Sequence, residues 1–235
     1  MVAILVVLTI VMFIGADLLV QWSRARHAKP VQVSQPSGSS VADLLMPALQ
    51  AERFSMPAGL FFHRGHTWAN LLFSGQIKVG IDDFIQKFLG HIDAVTLPPV
   101  GVAVKQGQPF VAVRQGGRIA TLAAPVDGVV CAVNTELAKM PGLLRRDPYT
   151  RGWMVALRPT NLSANLAQLA VGTSAMSWLT AELARLREFL AATLAREQDA
   201  LVGATAADGG LVADGLLEHL DNDVWAEFQA KFLNG

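Results

Sequence analysis

Two runs rich in valine and alanine, Phe110–Val113 and Ile119–Ala124, meet across Arg114-Gln-Gly-Gly-Arg118, and this pairing constrains the fold more than any other stretch. Gly116-Gly117 is a strong signal for a two-residue turn, because the central positions of such turns favour positive φ. The second run closes at Ala124-Pro-Val-Asp-Gly128, a further turn, and re-enters a strand at Val129–Val133. Residues 60–160 therefore read as mainly β, a set of short strands joined by hairpins. What such a unit does depends on the chemistry of its Gly-Gly tip.

The chain of 235 residues is long enough for one or two domains. Its formal net charge is zero and only 16% of residues are charged, so no basic footprint for nucleic acid is present. The single Cys131 rules out an internal disulfide. It lies among Val129, Val130, Ala132 and Val133 with no neighbour in sequence to depress its pKa, which favours an inert thiol over a redox or small-molecule role.

Residues 2–20 are almost wholly apolar. As a helix rising about 1.5 Å per residue they would reach roughly 30 Å, the thickness of a bilayer core. The reading is a transmembrane helix over 1–22, anchored through Val2, Phe13, Val20 and Trp22. Asp17 would sit at the headgroups or against a partner helix. Arg24, Arg26 and Lys29 follow the apolar run, which places the N-terminus outside and the main domain in the cytoplasm, at the inner (cytoplasmic) membrane. A cleavable signal peptide would carry its charges first and a small-residue cleavage site afterwards, and neither is present. Residues 23–59 read as a linker rich in Pro, Ser and Gly, with a short helix within Asp43–Phe54.

Within 60–160, Thr67–Gly75, Gln76–Gly80, Asp93–Leu97 and Trp153–Arg158 read as further strands. Phe84, Ile85, Phe88 and Leu89 recur at helical spacing behind an Asp82 or Asp83 cap. Beyond 160 the period lengthens. Met176, Leu179, Leu183, Leu186, Phe189, Leu190 and Leu194 stripe a helix over Ser174–Arg196, and Leu216 to Phe228 stripe a final one over Leu211–Phe232. Residues 161–235 thus form a helical C-terminal extension.

His66-Thr-Trp68, Val79-Gly-Ile-Asp-Asp-Phe84, Leu97-Pro98, Ala124-Pro-Val-Asp-Gly128, Val133-Asn134, Pro141-Gly-Leu-Leu144, Asp147-Pro-Tyr149 and Gly152-Trp153 resemble, in order and spacing, the H protein of the glycine cleavage system. The resemblance covers about 60–160 and implies a lipoyl-like barrel-sandwich hybrid, a flattened β-barrel whose hairpin presents a lipoylated lysine. Counting back from Pro125, the family's lysine falls at Gly117 and its preceding glutamate at Arg114. No lysine stands between Lys105 and Lys139. Arg118 cannot replace it, because a guanidinium stays protonated and offers no amine nucleophile. No cofactor is therefore expected.

The tip so read is a plain turn with Arg114 and Arg118 facing each other across it, a slight cost to the sheet unless an anionic partner or lipid headgroup lies opposite. His63, His66 and His91 with Asp82 and Asp83 are weak candidates for a metal site; His66 reads better as structural and the Asp pair as a helix cap. No catalytic or metal motif stands out. The expected function is a non-catalytic, membrane-anchored scaffold subunit of a membrane complex, its partners the lipid bilayer and other subunits. Arg114, Gln115, Gly116, Gly117 and Arg118 at the tip, with Trp178 and Trp225 on the helices, are the interaction candidates. The alternative is a lipoate-dependent carrier, or a regulator that mimics one, related to the glycine cleavage system.

Overall fold

The structure is a computed structural model that describes residues 49–196, 215–219 and 221–233. Ten short strands occur along the described chain: β1 (Phe61–Phe62), β2 (Thr67–Leu71), β3 (Ile77–Ile81), β4 (Ala94–Thr96), β5 (Ala103–Val104), β6 (Pro109–Gln115), β7 (Arg118–Ala123), β8 (Gly128–Val133), β9 (Val155–Pro159) and β10 (Ala170–Val171). They pair into a seven-stranded sheet ordered β10-β1-β2-β3-β9-β8-β5 and a three-stranded sheet ordered β4-β6-β7. The inward faces of both sheets, Val79 and Leu157 in one and Val113 and Ala120 in the other, enter one core.

Two expectations are corrected here. The sheets are open and share no strand, so the expected flattened barrel is a sandwich, and helices supply so much of its core that the fold is mixed α/β instead of mainly β. No helix among the described residues is long and apolar enough to cross a membrane. The segment read as a membrane anchor, 1–22 with Val2, Phe13, Val20 and Trp22, lies outside the described residues.

Helix α1 (Asp83–Leu89) begins where the Asp82 carboxylate accepts the Ile85 N–H at 3.1 Å, and ends at Gly90, whose φ of 71° a side chain would resist. The short helices α2 (Leu143–Arg146) and α3 (Leu162–Leu166) follow. In α4 (Thr173–Arg196), Leu179, Leu183, Leu186, Phe189 and Leu190 are buried at spacings of three and four, while Met176 stays exposed. The final helix expected over Leu211–Phe232 is divided. Leu216–His219 is a 3-10 turn, α5 spans Asn222–Phe228, and Gln229–Leu233 widens into a π-turn that buries Phe232 and Leu233. Phe228 and Phe232 stack at 4.8 Å, and Phe232 reaches Phe84 of α1 at 6.0 Å. The C-terminal residues are thereby part of the core they cover.

Several sequence motifs prove to be hydrogen-bond fixtures. Thr67 Oγ1 donates to Ala123 O at 2.9 Å, tying the two sheets together. Asn134 Nδ2 donates to Arg151 O and Trp153 O at 2.8 and 2.7 Å. The Tyr149 hydroxyl accepts Asp83 N–H at 2.9 Å and donates to Ser55 O at 2.6 Å. Trp68 lies across its cross-strand partner Gly80, where an added Cβ would fall 2.4 Å from the indole. Gly80→Val is therefore expected to cost about 1–3 kcal/mol through overpacking, seen as a lower urea midpoint at unchanged slope.

Candidate functional site

The β6–β7 hairpin carries the candidate tip. Its register pairs Val113 with Ala120, Arg114 with Ile119 and Gln115 with Arg118. Because side chains alternate between faces, Gln115 and Arg118 point inward while Arg114 and Ile119 point outward. The expected like-charge contact between Arg114 and Arg118 does not form. Gly116 has φ of 58°, but Gly117 does not share that conformation, so only the first glycine is required by the turn. Nothing lies within 4 Å of a Cβ built at either position.

The inward side of the tip is closed by residues far along the chain. Arg118 donates to Leu217 O at 2.7 Å and Asn222 Oδ1 at 2.9 Å, and its guanidinium lies 5.6 Å from the centre of the Trp225 ring. Gln115 Nε2 donates to His91 O at 3.1 Å and more weakly to Glu218 Oε1 at 3.4 Å. Glu218 also accepts the His91 N–H, and Asp93 accepts the Gly116 N–H. Between these groups lies a cleft of about 580 Å³. Trp225 is buried, so the structure makes it a support beneath Arg118.

A second polar constellation lies inside the protein, where the residue before β2 meets the N-terminus of α1 and the buried face of α4. His66 is fully buried, with φ of 59°, and Nδ1 lies 2.8 Å from Asp82 Oδ2. Its Nε2 is 3.6 Å from Glu182 Oε1, an ion-pair separation too long for a hydrogen bond. The ring stacks on Phe84 at 4.1 Å and meets Trp178 at 5.1 Å. Burial alone would lower its pKa; the Asp82 carboxylate outweighs that and, with Glu182, raises it to about 9. The ring is therefore an imidazolium at neutral pH, held between two carboxylates. Burial, with the positive charges of His66 and Arg64, lowers neighbouring His63 to about 4, and its neutral Nδ1 accepts Gly65 N–H at 3.0 Å.

Sequence reasoning placed His66 as structural and Asp82-Asp83 as a cap, but it missed Glu182. The signal was available: a lone carboxylate among Leu179, Leu183 and Leu186 on a buried helical face. It also missed Glu218 and Asn222 at the tip. Of the other candidate ligands, His91 pairs with Asp93 at 3.4 Å, and Asp83 serves Ser55, Gln86 and Lys87. Cys131 sits at an irregularity of β8 and its thiol donates to Ala156 O at 3.2 Å.

A two-sheet sandwich that projects one hairpin beside a polar cleft defines the class as a hairpin-presenting sandwich domain. Where the resemblance places the lipoyl attachment, at Gly117, the chain carries no amine, so the tip as read does not fit that group. The family model described as glycine cleavage H-protein matches residues 60–181. A probable glycine cleavage system H protein of Thermococcus kodakarensis is 36% identical over 121 residues, 52% of this chain and 90% of that protein. The glycine cleavage system H protein of Opitutus terrae is 40% identical over 107 residues, 46% of this chain and 84% of that protein. A solved H protein from Mycobacterium marinum covers 48% of this chain and 98% of its own, at 27% identity and a TM-score of 0.42.

This chain belongs to the glycine cleavage H-protein family. It is an accessory, non-catalytic protein. The expected function as a membrane-anchored scaffold gives way to this membership, and the lipid bilayer and membrane-complex partners and the inner-membrane location drawn from it find no spanning helix among the described residues to rest on. The match also runs past 160, through α3 and into α4.

Proposed function

We propose that this protein is a regulator related to the glycine cleavage system, a mimic of the carrier that engages the system's other proteins without bearing the carried group. The single observation behind this reading is the contrast within one hairpin. The turns and hydrogen-bonded fixtures that shape the domain are kept, whereas the attachment position is Gly117 and its neighbour is Arg118. A carrier needs a primary amine there; a competitor or adaptor needs only the surface. The outward face, with Arg114 and Ile119 exposed, is available to a protein partner.

The test is binding of the full chain to the purified proteins of the glycine cleavage system, with a lipoylated H protein as competitor. Saturable binding that the H protein displaces is the expected result, and Arg114→Glu should weaken it about tenfold if an acidic surface is met. Absence of binding to every one of those proteins would remove the proposal.

A further inference from the structure

A second hollow, of about 500 Å³, shares His91 and Asp93 with the tip cleft and is walled on its other side by Lys139, Met140, Arg145 and Arg146. The stretch Lys139-Met-Pro-Gly-Leu-Leu-Arg-Arg146 holds three cations and no acid. Carboxylates do stand close in sequence, Glu136 before Lys139 and Asp147 after Arg146. The fold turns both of them elsewhere. Glu136 accepts from the Arg151 guanidinium, and Asp147 accepts the Thr150 hydroxyl and the Arg151 N–H. Asp93, the one acid of the hollow, accepts the Gly116 N–H and lies 3.4 Å from His91. Among the described residues no carboxylate stands within ion-pair distance of Lys139 or Arg146, and both are exposed.

These cations are held in place from below. Leu137, Leu143 and Leu144 are buried, which pins the 3-10 turn Thr135–Ala138 and α2 on either side of the loop. Burying Leu143 and Leu144 leaves Arg145 and Arg146 on the solvent side of that turn. The Lys139 and Met140 N–H groups bond Glu136 O, and those of Arg145 and Arg146 bond Gly142 O. A Cβ built on Gly142 would lie 3.8 Å from Arg146 Nη2, so that guanidinium rests back against the loop. With His91 neutral the hollow sums to a positive formal charge, on a chain whose net charge is zero. Gathering like charges on a fixed frame is unfavourable in the isolated chain and is relieved by an opposite surface.

The kind of opposite surface follows from the groups present. Arginine forks match carboxylates two bonds at a time, and lysine adds a point charge. Met140, 38% exposed, puts an apolar contact among them, which a bare anion would leave uncovered. Nucleic acid is a poorer match, because no wider basic footprint surrounds the hollow. We propose that this hollow is a docking surface for an acidic protein segment, whose carboxylates meet Lys139, Arg145 and Arg146 while an apolar side chain covers Met140. The inference goes beyond the proposed regulatory role, because it concerns a surface outside the hairpin and is read on the isolated chain.

The experiment titrates the full-length protein with a hexaglutamate peptide, following the backbone amides of Asp93, Lys139, Met140 and Arg146 by NMR. Hexalysine, inorganic phosphate and a short DNA oligonucleotide are the comparison ligands. Saturable shifts with hexaglutamate, weakening as salt is raised, are expected. The Lys139→Glu, Arg146→Glu double variant should bind at least about tenfold more weakly. Both positions are exposed, and an unchanged amide spectrum elsewhere would show that the variant is folded. Equal binding of phosphate or of the oligonucleotide would make the hollow a general anion site and overturn the proposal. So would a matching response to hexalysine, affinity untouched by the double variant, or no saturable shift with hexaglutamate. No glycine cleavage protein is present, so a failed regulatory role leaves this result standing, and the converse.

Discussion

Co-expressed with a lipoylating enzyme, the native protein is expected to show the intact mass of its bare polypeptide, and Gly117→Lys to gain one lipoyl group. The difference is all-or-none because acylation needs a neutral amine in reach of the enzyme, and the hairpin tip offers two glycines, a glutamine and two arginines but no lysine. The structure makes the substitution permissible. Gly117 lacks the positive φ that its neighbour Gly116 needs, and a Cβ there points into open space. A lysine at that turn should project without disturbing the Gln115–Arg118 pair beneath it. Should Gly117→Lys alone stay unmodified, the Arg114→Glu, Gly117→Lys double variant restores the acidic neighbour that the family resemblance places at 114. An adduct on the native chain would end the reading as a carrier mimic. An unmodified double variant would show that the tip no longer has a carrier's shape.

Replacing His66 by alanine should cost about 3–5 kcal/mol, the usual penalty for stranding the partners of a buried charge. Asp82 would keep its bond to Ile85 N–H, but Glu182 would keep only Arg185, at 2.7 Å on the exposed side of α4. The same cluster sets the pH dependence. His66 is raised from 6.5 to about 9, so its contribution is complete below pH 6.5 and is lost as pH rises through 9. The loss should be on the order of 3 kcal/mol. His63 acts in the opposite direction: its pKa is lowered from 6.5 to about 4, so its contribution is complete above pH 6.5 and is lost as pH falls through 4. Glu182, whose carboxyl is lowered by His66 and Arg185 against its burial, adds a second loss on the acid side, below its ordinary 4.5. Denaturation followed from pH 4 to 10 should thus give a maximum near pH 6.5, and His66→Ala should flatten the alkaline limb and also weaken the acid one, because His66 contributes to the shifts of both His63 and Glu182. An alkaline limb unchanged by the substitution would contradict the buried ion pairs.

Much of the fold was legible because local chemistry decides it. Gly116 fixes the place of the turn between β6 and β7, Asp82 the start of α1 and Gly90 its end, each through one residue's own conformational or hydrogen-bonding preference. The Leu179–Leu190 stripe of α4 was readable for the same reason: periodicity registers burial without knowing the partner. Met176 misled, since Ala175, four residues before Leu179, takes the buried position and leaves Met176 exposed. Leu211–Phe232 misled further, as apolar spacing cannot distinguish one helix from a 3-10 turn, an α-helix and a π-turn that share a face.

The tip shows where local reading stops. That no amine stands at Gly117 follows from the order of residues alone, and the family follows from motifs in order. That Arg114 and Arg118 face opposite ways depends on register, because a shift of one residue along a strand exchanges its faces. That Glu218 and Asn222 wall the cleft, and that Glu182 reaches His66, depends on contacts across more than a hundred residues. Turns, caps and stripes act over a few bonds and leave their mark in adjacent letters. Pairings between distant charges are selected only when two packed surfaces bring them within a few ångströms, and chain packing alone supplies that condition.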